Sequence, residues 1–196
     1  MQTAHELFLH ELGDILNAER NLIDALEEQA EAVTDEQLKK AITDHRAQTE
    51  KQVERLEQVF EDLGEEAVEA ECKGVKGLVE EWKSFKDEEN PADDILNVVT
   101  ISAATKVESY EINAYESLIQ MAQDMDHTKA VKLLRQNLKE EQQTLKKMQS
   151  FAKKVKPELS GMEEEEGEEV GIDSQEQGSG RSRSKKSTAR RGRKAA

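Results

Sequence analysis

KVESYEINAYESL, residues 106–118, puts two acids where an apolar helix face is expected. Ile101, Ala104, Glu108, Glu111 with Ile112, Tyr115, Leu118 with Ile119, and Ala122 recur at steps of three and four, which is one face of an α-helix. A carboxylate buried on such a face is costly unless something neutralises it, so this face is either not core or carries a partner such as a cation.

The same interruption recurs outward along the chain. Residues 4–33 form an amphipathic helix whose stripe of Leu12, Ile15, Leu16, Leu22, Ile23, Leu26, Ala30 and Val33 is broken by Glu19. Thr34 and Asp35 make a short cap, and a second helix folds back from Asp35 to the stop at Gly64. Its stripe is polar but uncharged at mid-height, with His45, Thr49 and Gln52 between Leu38, Ile42, Val53, Leu56 and Phe60. Residues 64–91 are too long for a tight hairpin, and the spacing of Val75, Leu78, Val79, Trp82 and Phe85 predicts a short helix within this link. The third long helix spans residues 92–125. After a turn at 126–128, the fourth runs to Val155 before Pro157, with Glu141 the one charge among Val131, Leu134, Leu138, Leu145, Met148 and Ala152.

Two antiparallel hairpins joined by one long crossover give an all-α, ferritin-like four-helix bundle over residues 1–157. Residues 158–196 have no apolar period. They pass from an acidic run to RSRSKKSTARRGRK, the composition of a disordered tail. The chain is acidic overall, net −15, with 36% charged and only 4% aromatic residues, which excludes a large aromatic core. No run of apolar residues is long enough to cross a membrane, and the N-terminal segment carries acids within its apolar stretch, so neither a membrane span nor a secretory leader is expected and a cytoplasmic protein is. The lone Cys72 has no CxxC neighbour and offers neither a disulfide framework nor a thiolate metal site.

Four carboxylates, Glu19, Glu108, Glu111 and Glu141, fall at matching heights. Brought together without a cation they would repel and hold protons; two divalent ions would balance them. Dimetal carboxylate bundles use one Glu from each of two helices and a Glu-x-x-His from each of the other two. This chain offers Thr49 and Gln52 on the second helix and Glu141 and Thr144 on the fourth, so both histidines of that pattern are absent. Gln52, Glu50 and His45 are secondary candidates. An oxygen-rich set leans towards iron or manganese and leaves magnesium and calcium open. The alternative for each acid taken singly is a side chain curling out to solvent, for His45 a buried polar histidine, and for Tyr110 and Tyr115 simple packing.

ILNAERNLIDAL, QVERLEQVFEDLG, GVKGLVEE following Cys72, KVESYEINAYESL and KLLRQNLKEEQ together resemble the YciE/YciF family of bacterial ferritin-like proteins over about residues 4–155. The resemblance implies a rubrerythrin-like four-helix bundle, a homodimer and an association with stress responses. It also marks departures: members often carry Glu and His near positions 47 and 50, here Ala47 and Glu50, and KVEHYE, here KVESYE with Ser109.

Two classes of function follow. The first is a stress-protective dimetal protein whose iron or manganese reacts with peroxide or dioxygen; the second is a non-catalytic bundle acting through partners. The basic end of the tail, Arg181, Arg183, Lys185, Lys186, Arg190, Arg191, Arg193 and Lys194, matches a nucleic-acid contact. It equally suits a segment that folds back on the acidic run, because an acidic bundle repels DNA.

Overall fold

The computed structural model describes residues 1–157; the tail, with its eight basic residues, lies outside them. Five helices occur in the order α1 (Ala4–Ala32), α2 (Glu36–Leu63), α3 (Lys73–Glu89), α4 (Asp93–Asp124) and α5 (Thr128–Lys154). Local chemistry sets their ends. Thr3 caps α1 in a reciprocal box with Glu6, and the Asp35 carboxylate accepts from the Leu38 N–H to start α2. Gly64 ends α2 at φ 75°, a left-handed conformation that glycine adopts without strain. Asn90 takes the same region, φ 43°, after α3, and Pro91 follows it.

The four long helices and the crossover helix expected from the sequence are all present, in the one-crossover connectivity of ferritin-like bundles. Cross-helix pairs fix the directions. Thr34 meets Asn97 at one level while Glu19 meets Tyr115 at another, so α1 and α4 run antiparallel. Between α2 and α5, Asp62 pairs with Lys129, Arg55 with Glu140 and His45 with Thr144, again in opposed order. The core is largely aliphatic: Leu12, Ile15, Leu16, Leu38, Ile42 and Leu56 of the first hairpin form one cluster with Ile101, Leu118 and Leu134 of the second, and Phe8 is buried in it.

The crossover lies along α1. A Cβ at Gly13 would collide with the Val68 carbonyl oxygen and come within 3.1 Å of the Ala70 nitrogen, so glycine here is what lets two backbones approach. One turn on, Asn17 accepts from the Cys72 N–H at 2.9 Å and donates to Glu69 at 2.7 Å. The next turn brings Arg20, whose guanidinium pairs with Glu69 and, at 2.6 Å, with Glu57 of α2. Of the α3 residues expected to face inward, Val75 and Trp82 are buried, and Leu78, Val79 and Phe85 are half-buried. The Trp82 indole donates to Thr100 at 2.9 Å, which docks α3 on α4.

Candidate metal centre

Each acid in the stripes is buried, because the helix phase that aims Leu16, Ile101 and Leu134 at the core aims Glu19, Glu108, Glu111 and Glu141 there too. None is more than 1% exposed, which removes the alternative of side chains curling out to water. His45 of α2 joins them at 5% exposure, with its Nε2 2.9 Å from Glu108 Oε1. One ligand atom each from His45, Glu108 and Glu141 lie within 4.8 Å of one another, a spacing that fits a shared cation.

The remaining polar contacts close the cluster on two sides. The Gln52 amide donates to Glu141 Oε1. The Tyr115 hydroxyl donates to Glu19, and the Asn137 amide donates to that hydroxyl at 2.9 Å and to the Gln52 carbonyl at 3.3 Å. Arg55, which also pairs with Glu140, donates to Asn137 Oδ1 at 2.5 Å and holds its orientation. Five buried acceptor atoms are left without a protein partner: Gln52 Oε1, Glu108 Oε2, Glu141 Oε2 and both oxygens of Glu111. Unpartnered carboxylate oxygens at this level of the bundle, with His45, Glu108 and Glu141 within ligand spacing of one another, match the donor chemistry of a hard or borderline divalent cation.

The electrostatics agree. Burial pushes the Glu108 carboxyl up to about 8, with its contact to Glu141 opposing. Glu19, Glu111 and Glu141 are raised well above the ordinary carboxylate range, first by burial. The next cause is the negative charge of Glu141 for Glu19, of Glu19 for Glu111 and of Glu108 for Glu141. Burial lowers His45, against the pull of Glu141 and Glu19. Without a cation, burial and mutual repulsion bias these acids towards their protonated forms.

The residues anticipated from the sequence separate cleanly. Glu19, Glu108, Glu111, Glu141, Gln52 and His45 come together; Glu50 does not, being half exposed on the outer face of α2 with Arg46 3.9 Å away. Helical phase explains this, since Glu50 lies next to the inward Thr49 and points elsewhere. Tyr115 does more than pack, and Asn137 was not anticipated at all. Its place one turn before Glu141, in the stripe of Leu134 and Leu138, was the available signal. Cys72 is buried with its Sγ 3.3 Å from the Tyr110 hydroxyl, which donates to Asp14 at 3.3 Å.

With this geometry in view, the sequence matches over residues 3–159 the family described as a domain of unknown function, DUF892. Protein YciF of Escherichia coli (strain K12) is 35% identical over 153 residues, covering 78% of this chain and 92% of the relative. The chain belongs to the YciF (DUF892) family. The crystal structure of the E. coli stress protein YciF superposes with a TM-score of 0.75 at 34% identity, covering 79% of this chain and 98% of that one. YcfI from Rhodopseudomonas palustris gives 0.74 at 35% identity over 76% and 94%. A protein from Xanthomonas campestris pv. campestris, at 14% identity and 0.61, shares the fold. Among the described residues no helix is long and apolar enough to cross a membrane.

Proposed function

We propose that this YciF-family bundle binds iron or manganese at the buried cluster and serves stress protection by letting the bound metal react with peroxide or dioxygen. The observation that carries the reading is that five of the seven buried side-chain polar atoms without a partner among the described residues are acceptor oxygens of Gln52, Glu108, Glu111 and Glu141. Glu108, Glu141 and His45 would hold the first ion, and Glu19 and Glu111 lie beside them for a second. A bound metal of this class supplies Lewis acidity and electrons. The chain's own part is to exclude bulk water, fix the carboxylates on α1, α4 and α5 beside His45 of α2, and hold their protons until a cation replaces them. The protective role is supported by kinship with YciF, described as a stress protein. A homodimer is the assembly that the family resemblance implies, and the cytoplasm is the setting expected from the sequence.

A second reading has its own support. Thr49, Gln52 and Thr144 stand where stronger ligands would, and Gln52 already satisfies one Glu141 oxygen. On that view the bundle keeps the fold without the chemistry and acts through partners, the basic tail offering one contact for nucleic acid. Metal content separates the two. Protein prepared anaerobically with Fe(II) or Mn(II) is expected to hold stoichiometric metal, and the double variant Glu108→Gln/Glu141→Gln to lose it with unchanged helical circular dichroism. Wild-type protein that retains no metal overturns the first reading.

A further inference from the structure

A cavity of about 170 Å³ opens between α2 and α5, and its floor is His45. Ala41, His45 and Gln48 recur along one face of α2, and Thr144 and Lys147 answer them from α5. Its volume far exceeds the roughly 15 Å³ of probe-occupied space that one water requires. The larger cavities, about 300 and 240 Å³, lie against α4 near Ser102 and Lys106 and include none of the cluster residues.

The walls are built for a small polar guest. The Gln48 amide nitrogen is buried with no hydrogen-bond partner in the protein. The Thr144 hydroxyl stands 3.5 Å from His45 Nδ1, a long contact that leaves both atoms capacity for another partner. The inner edge of the same imidazole is 2.9 Å from Glu108, so one ring separates the cavity from the cluster. At the rim Lys147 and Lys40 both face Asp44, Lys40 at 2.8 Å, which leaves one net positive charge. Such a mouth does not draw in cations, and a neutral solute meets no electrostatic barrier there.

We propose that this cavity is the path by which small neutral polar solutes, of the size and hydrogen-bonding character of water and hydrogen peroxide, reach the His45 side of the buried cluster. Gln48 donates to the solute, Thr144, whose own proton goes to the Glu140 carbonyl at 3.3 Å, accepts from it, and the His45 ring is the last partition. The assignment of peroxide as the solute rests on the metal-binding reading; the path itself does not.

The test separates them. In metal-free, full-length protein, deuterium exchange at the His45 ring Cε1–H is followed by mass spectrometry, with exposed His10 as an internal control. Gln48→Trp fills the cavity from within, and Lys147→Trp, on an exposed position, covers its mouth with little risk to folding. Both are expected to slow His45 exchange at least fivefold while His10 is unchanged; unaltered exchange in the folded variants overturns the path. In Fe(II)-loaded protein the same substitutions are expected to slow oxidation by hydrogen peroxide at least fivefold with bound iron unchanged. Slowed exchange with unslowed oxidation overturns peroxide as the solute. If wild-type protein binds no iron, the metal reading fails, and the exchange result still decides the path.

Discussion

Tyr115 and Glu19 are joined across the interior of the bundle, the phenol of α4 donating to the carboxylate of α1. Because Asn137 of α5 donates to the same phenol oxygen, one atom ties three helices at the height of the acids.

Removing that atom exposes the dependence. Tyr115→Phe leaves Glu19 and Asn137 each short of a partner in a dry core and is expected to lower stability by about 1–3 kcal/mol. Asn137→Ala should cost a similar amount, and the double variant less than the two together, because both break one network. Urea unfolding of the four proteins measures the coupling; strict additivity would contradict the shared network.

The pH dependence of metal-free protein has an unusual sign. An acid whose folded pKa is raised binds more protons folded than unfolded, so its stabilising effect is present at low pH and lost as pH rises from the unfolded value of 4.5 through the folded one. For Glu108 that window closes near 8, and Glu19, Glu111 and Glu141 act in the same direction. His45, lowered by burial, acts oppositely below its ordinary 6.5, one group against four. Metal-free protein is therefore expected to be more stable at pH 5.5 than at pH 8 in chemical denaturation.

Metal reverses that slope. A divalent ion favours the charged carboxylates, so Mn(II) at a hundredfold excess over its dissociation constant should add about 2.7 kcal/mol. The gain in melting temperature should be larger at pH 8 than at pH 5.5. Glu108→Gln/Glu141→Gln, which removes two charges from the His45 side, should show neither the gain nor its pH dependence in thermal melts.

Two glycines should respond in opposite ways. Gly13→Ala drives a methyl against the Val68 carbonyl and is expected to destabilise by about 1–3 kcal/mol, since backbone on both sides must move. Gly77→Ala, exposed within α3 with nothing within 4 Å of the added carbon, should stabilise by up to about 1 kcal/mol. Equilibrium unfolding of the pair reads both signs.

Periodicity alone makes the bundle legible in the sequence. Steps of three and four located α1, α2, α4 and α5, and the same steps showed that Glu19, Glu108, Glu111 and Glu141 share the core face of their helices. What spacing along one helix does not encode is the register between helices. That Gln52 meets Glu141, that His45 faces both Thr144 and Glu108, and that Asn137 reaches Tyr115 all depend on how far α2, α4 and α5 slide along one another. Glu50 shows the converse: it is one position from the inward phase, and only its outward side chain, paired with Arg46, removes it from the cluster. The bond from Cys72 to Asn17 depends on the path of the crossover, which has no helical period to reveal it.

That path bears on how the chain assembles. Gly13, Asn17 and Arg20, on successive turns of α1, fasten the segment before α3 in three places, so it is a strap and not a free loop. Closing a long unstructured connection carries an entropy cost that grows with its length. Here the close approach at Gly13 and the bonds of Asn17 and Arg20 divide the link into shorter closures, so the second hairpin is tied to α1 by contacts that lie outside the buried acids.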